Sequence, residues 1–235
     1  MRQKEFRRLS PSPVATDDRA AFQAREKTRA PGDFEPGDDY FSLPKEPFGD
    51  RRLRLRLGPL CFFLDGLSDD QQSVLAKRFR PFVDGSGEAP AADLTVRFAR
   101  AGVDAFLAAP RGEAERYRMG RRAEGSRIAF WSYEFAGTAD LARGRAELAL
   151  VDAGGALFER GAENFLRVLT ALQILRHGGL LVHGAGVVRR GLAHVFFGPS
   201  GAGKTTVTHL SPGETILSDD LTLIVKADGG FAAAG

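Results

Sequence analysis

The chain has 235 residues, 43% of them hydrophobic, with a formal net charge of +3 and a pI near 9.2, room for one large domain or two small ones. Its basic residues are spread and mixed with acids, so the charge reads as solvated surface and not as a footprint on nucleic acid. The single cysteine, Cys61, excludes an internal disulfide and a cysteine-based zinc site and reads as a buried thiol in a reducing cytoplasm, while no apolar run is long enough for a membrane span and MRQKEFRRLSPSP lacks a signal peptide's hydrophobic region.

Residues 1–50 are rich in Pro, Asp, Arg and Gly, without sustained periodicity, and are expected to form a disordered tail. Phe34, Tyr40 and Phe41 offer a less favoured docking-arm reading of it. Order is expected from RLRLRLGPLCFFLDG, where Leu53, Leu55 and Leu57 alternate with arginines and Gly58-Pro59 turns the chain into a second strand. Ser68, with Gln71 three positions on, caps a helix whose stripe is Leu75, Phe79 and Phe82. After the loop DGSGEAPAA, strands are expected at DLTVRF, RIAFWSY and RAELALV, with Trp131 in the core. Residues 51–155 thus read as a small, strand-rich α+β subdomain. A buried helix is expected over 163–176, from Phe165, Leu166, Leu169, Leu172 and Leu175, stopped by Gly178-Gly179.

The segment GPSGAGKT, Gly198 to Thr205, matches G-x-x-x-x-G-K-[ST] after an apolar strand, LAHVFF, and before a helix, TTVTHL. In such a loop the backbone curls at Gly198, Gly201 and Gly203, so that amides from Ser200 and Ala202 onward face phosphate oxygens. Lys204 would neutralise the β and γ phosphates of ATP, the Thr205 hydroxyl would ligate Mg²⁺, and Thr206 would pack beside them. Only six of the 33 basic residues are lysines, so lysine abundance does not explain Lys204. The competing reading is a glycine-rich turn that matches by accident.

Asp219 and Asp220 follow Lys204 by 15 and 16 residues, so the short helix is expected to pass back to an adjacent strand, TILSDD, whose carboxyl end places both acids beside the γ phosphate. Upstream, LLVHGAGVV and LAHVFF are joined by Arg189-Arg190-Gly191, so the loop is expected to hang from an antiparallel hairpin instead of a βαβ unit. Two adjacent carboxylates near one metal can divide the work, one binding Mg²⁺ and the other accepting a hydroxyl proton. A strand-end turn would also favour an Asp pair, and a lone histidine such as His183 is more often a core residue than a catalyst. His177, His194 and His209 read as helix end, hairpin and surface.

The succession LVHGAGVV, GPSGAGKTT and LSDDLTLI resembles the catalytic domain of HPr kinase/phosphorylase and its related kinases, over about residues 160–230. The resemblance implies the mixed-sheet P-loop fold of ATP-dependent phosphoenolpyruvate carboxykinase over 156–235, with His183 as the active-site histidine, Asp219 as the acid/base and Asp220 as a Mg²⁺ ligand. Catalytic residues on this reading are His183, Lys204 and Asp219, and ATP and Mg²⁺ are the cofactors. It also implies a domain incomplete at its C-terminus, with LTLIV lacking the strand that pairs beyond it. The expected activity is ATP-dependent transfer of the γ-phosphate to a hydroxyl, the serine of a protein or peptide acceptor, with no nucleic acid or membrane partner and the oligomeric state, a homo-oligomer included, left open. The runner-up is a non-catalytic ATP-binding regulatory module. A small-molecule kinase of the adenylylsulfate type shares the GxSGAGK[ST] loop but begins at the loop strand, without the preceding hairpin.

Overall fold

The computed structural model describes residues 36, 38–85, 92–102, 106–107, 118–151, 154–227 and 229–235. The chain divides into two compact units, Met1–Asp33 and Phe34–Gly235, and the second holds every element below. Residues 1–35 of the expected tail, and most of the loop DGSGEAPAA, lie outside the described residues.

The alternating leucines of RLRLRLG make β1 (Arg51–Leu57), and Gly58 at φ 58° turns it into β2 (Leu60–Leu67). The helix α2 (Asp69–Arg78) starts as its capping box dictates: the Ser68 hydroxyl accepts from the Gln71 amide, and the Gln71 side chain accepts from the Ser68 amide. This helix returns the chain to β3 (Leu94–Arg100), parallel to β2. A meander follows through β4 (Gly120–Glu124), β5 (Arg127–Trp131), β6 (Phe135–Asp140) and β7 (Arg145–Leu150), with β7 parallel to β3. The described strands form a mixed seven-stranded sheet in the order β1-β2-β3-β7-β6-β5-β4.

The long helix α3 spans Gly155–Gln173, eight residues earlier at its start than the periodicity indicates, and ends through a 3-10 turn at Ile174–His177 with Gly178 at φ 67°. Its buried face, Phe158, Ala162, Phe165, Leu166 and Leu169, shares one core cluster with Val96, Phe98, Phe130 and Leu148 of the sheet and with Leu223 of β11 (Leu221–Ala227). That core runs through the boundary expected at 155/156, because the helix buries its apolar stripe against the first sheet and reaches the second. Phe165 stacks on Phe130 at 4.7 Å between ring centroids and meets Phe135 edge-on at 5.9 Å. A Cβ on Gly137 would stand 2.1 Å from the Phe165 ring, so the absence of a side chain there lets the helix approach.

The expectation of disorder up to residue 50 is corrected for its described part. Helix α1 (Asp38–Ser42) and the segment after it dock on the sheet: Tyr40 donates from its hydroxyl to Ala101 O at 2.9 Å, and Tyr40 and Phe41 pack on Phe106, Trp131, Ala136 and Ala149. Pro47 bridges Ala99. Tyr40, Phe41 and Lys45, whose ammonium donates to Glu147 Oε1 and to Tyr40 O, both at 3.0 Å, are held by specific partners and order a stretch that shows no period of its own.

The second sheet is built on β8 (Leu180–Arg189). Arg190 at φ 53° and Gly191 at φ 76° make the two-residue turn into β9 (Leu192–Phe197), as the hairpin reading expects. On the other edge of β8 lie β10 (Thr215–Ser218) and β11, end to end and both antiparallel to it. The expectation of an adjacent strand running through both aspartates is corrected: helix α4 (Lys204–His209) carries the chain over β8, so β9 and β10 are separated by one strand, and β10 ends at Ser218, before the acids. The expectation that LTLIV has an unpaired edge is corrected: β11 pairs with β8 on one side and with β12 (Gly230–Ala234) on the other.

Candidate functional site

The segment between β9 and α4 is a curl of backbone closed on itself. Gly201 at φ 81° and Gly203 at φ 87° occupy the left-handed region that side chains disfavour, and Gly203 is the residue from which α4 starts. The Ala202 amide donates to Pro199 O at 3.1 Å, and the Gly201 and Gly203 amides have no partner among the described residues. Gly198 faces Ala202 so closely that an added Cβ would stand 3.0 Å from the alanine methyl. The Lys204 ammonium bends back over the curl, donating to Gly198 O at 3.0 Å and Pro199 O at 3.1 Å. Ser200, Thr205 and Thr206 are exposed.

Strand β8 links this curl to the aspartate pair. Gly184 pairs with Phe197, the residue before Gly198, on one edge, and its amide donates to Asp220 O at 2.9 Å on the other. Asp220 thus sits about 10 Å, two strand spacings, from the root of the loop and at the same end of the sheet. The next residue of β8, His183, is exposed and holds its Nδ1 3.4 Å from Asp220 Oδ1. The structure brings Asp220 and the start of the loop into one cross-strand row, with His183 in the neighbouring row, opposite Leu221, and its side chain reaching Asp220.

The two aspartates are not equivalent. The Ser218 hydroxyl accepts from the amides of Asp220 (3.2 Å) and Leu221 (3.1 Å), fixing the break between β10 and β11 at which both acids stand. Asp219 is exposed, and its carboxylate has no hydrogen bond or ion pair among the described residues. Asp220 is half-buried and ion-paired: Arg167 donates to its Oδ2 at 3.0 Å.

Arg167 comes from α3 and belongs to a chain of charges. It also donates to Glu163 Oε1 at 2.6 Å, one helical turn earlier, and Arg78 of α2 forks both oxygens of Glu163 at 2.9 and 2.8 Å. Each of these partly exposed pairs contributes at most about 1 kcal/mol to stability. Their larger effect is directional, since a guanidinium held at two points fixes where the Asp220 carboxylate stands. Neither Arg167 nor Ser218 is conspicuous in the sequence. The spacing of Ser218 from Leu221 resembles a capped turn, but nothing local marks Arg167, whose partner is 53 residues away.

The other histidines stand apart from this row. His177 closes the 3-10 turn with Nε2 3.1 Å from Asp93 Oδ1, while His194 on β9 and His209 at the end of α4 are exposed. None of the described helices is long and apolar enough to cross a membrane.

The residues present suit a nucleotide's phosphates: a curl with open amides, a lysine whose ammonium rests on exchangeable carbonyls, and an unpaired carboxylate at the same sheet end. No protein-family model matches the chain, and no curated protein matches it.

Proposed function

We propose that the chain is an ATP-dependent kinase that transfers the γ-phosphate to a hydroxyl, the serine of a protein or peptide, on a P-loop fold of the phosphoenolpyruvate carboxykinase-like type. The observation that carries this reading is the row Phe197–Gly184–Asp220, which puts a glycine-rich lysine loop and a carboxylate pair at one end of one small sheet.

In this reading the amides of the curl and Lys204 bind and orient the phosphates, and Thr205 with Asp220 holds Mg²⁺. Magnesium-bound ATP supplies the transferable phosphoryl group. Asp219 accepts the proton of the acceptor hydroxyl. Asp219, exposed and without a partner among the described residues, is open to the acceptor hydroxyl, whereas Asp220 is held in a set position by Arg167. His183, against Asp220 Oδ1, orients that carboxylate and limits its rotation.

The reading is tested by incubating the protein with γ-labelled ATP, Mg²⁺ and a library of serine-containing peptides. Label appearing on a peptide hydroxyl, and lost in Asp219→Asn, is the expected outcome. Nucleotide binding without any transfer would favour a non-catalytic ATP-binding regulatory module. Absence of nucleotide binding would remove both.

A further inference from the structure

The two faces of the seven-stranded sheet are chemically opposite. Val96, Ala146, Ala139 and Ile128 lie in one cross-strand row and face α3, within or against the core. The neighbouring rows point the other way and read Thr95–Arg145–Asp140–Arg127 and Arg97–Glu147–Thr138–Ala129. Short side chains such as Thr95 and Thr138 form the floor of an open trough of about 690 Å³, and arginines form its walls.

The charges of this trough do not balance. Glu147 is taken by Lys45 at 3.0 Å, and Asp140 by Arg143 at 2.6 Å. Arg97, Arg127 and Arg145 are exposed and have no carboxylate within 4.0 Å among the described residues; Arg97 donates only to Lys45 O, at 3.0 Å. Among the described residues, four arginines line the trough with two carboxylates, Asp140 and Glu147, and the latter is already paired with Lys45, whose side chain is buried beside it, so Arg97, Arg127 and Arg145 are left in excess.

We propose that this trough is a docking groove for an acidic peptide segment of a partner protein, with Arg97, Arg127 and Arg145 taking its carboxylates. A planar guanidinium pairs with a carboxylate through two parallel hydrogen bonds, which an ammonium cannot do. Facing side chains on one strand recur every ~6.6 Å and neighbouring strands lie ~4.8 Å apart, a spacing an extended chain with acids at alternate positions can match. Single-stranded nucleic acid fits less well. No aromatic side chain lines the trough to stack a base, and Asp140 and Glu147 would stand against its phosphates. The groove lies on the sheet face away from α3 and does not depend on the nucleotide reading.

The test is fluorescence anisotropy with a labelled decapeptide of alternating Glu and Ser, its Gln-Ser counterpart, and the whole chain. Arg97→Glu/Arg127→Glu/Arg145→Glu is compared with the milder all-Gln triple variant and with a control of equal charge change at exposed positions elsewhere, Lys77→Glu/Arg80→Glu/Lys226→Glu. The acidic peptide is expected to bind the unaltered protein and the control, and at least about tenfold more weakly to both groove variants. The neutral peptide should not bind. Equal losses in groove and control variants, no binding of the acidic peptide at low salt, or tighter binding of an oligothymidylate of the same length would each overturn the proposal.

Discussion

The Arg167 guanidinium lies 3.0 Å from Asp220 Oδ2 while also holding Glu163 at 2.6 Å, so one cation ties the long helix to the aspartate pair of the second sheet, beside their shared apolar core. If that cation sets the direction of the Asp220 carboxylate, Arg167→Gln should lower phosphoryl transfer by about tenfold or more with little change in melting temperature, since partly exposed ion pairs add little stability. Arg167→Lys should restore part of the loss. A variant that transfers phosphate at the unaltered rate would show that Asp220 needs no such anchor.

Asp219 and Asp220 should separate on mutation. Asp219→Asn is expected to keep nucleotide affinity and cut transfer by roughly 10²-fold or more, the usual cost of a lost general base. Asp220→Asn should instead raise the Mg²⁺ concentration needed for half-maximal turnover. Magnesium titrations of both variants check this, and identical behaviour would contradict the division of roles.

The approach of α3 to the sheet depends on the bare Cα of Gly137. Because an added methyl would overlap the Phe165 ring, Gly137→Ala should destabilise the protein by about 1–3 kcal/mol, the usual range for overpacking a filled core. Chemical denaturation would read this as a lower midpoint with an unchanged slope.

Docking of residues 38–50 gives a second stability test. Burial, reinforced by the nearby Glu147 charge, pushes the Tyr40 hydroxyl well above the ordinary tyrosine range, so it stays protonated and keeps donating to Ala101 O. Tyr40→Phe should cost about 1 kcal/mol for that hydrogen bond. Tyr40→Ala, which also removes the edge contacts with Phe41 and Phe106, should cost more. Unchanged melting temperatures in both would return this stretch to the status of a loose tail.

Much of this architecture was legible locally. The Ser68–Gln71 box, the Arg190-Gly191 hairpin turn, the Gly178 stop and the lysine loop each depend on neighbours within a few residues, where residue type alone dictates backbone shape. The strands β4 and β6 were missed because GRRAE and FAGTAD carry small or charged residues where alternation would show, and they owe their state to partners already in the sheet. The first turns of α3 begin with two glycines and gain their helicity from Phe158 in the core. For the site, the loop and the Asp pair could be read from spacing. Arg167 could not, because its role exists only when α3 lies across the end of β10, a relation between distant segments.

The measurement that bears most directly on the phosphate site is calorimetric titration of Mg²⁺-ATP into the unaltered protein and Lys204→Ala. Lys204 is half-buried with its ammonium on two carbonyls of its own loop and on none elsewhere among the described residues, so its removal should leave the fold intact and take away the charge offered to the phosphates. The account predicts saturable binding to the unaltered protein and a loss of at least about tenfold in affinity in the variant, with the same melting temperature for both when ligand-free. Equal affinity in the two proteins, or no binding to either, would contradict the assignment of Gly198–Thr205 as a nucleotide site.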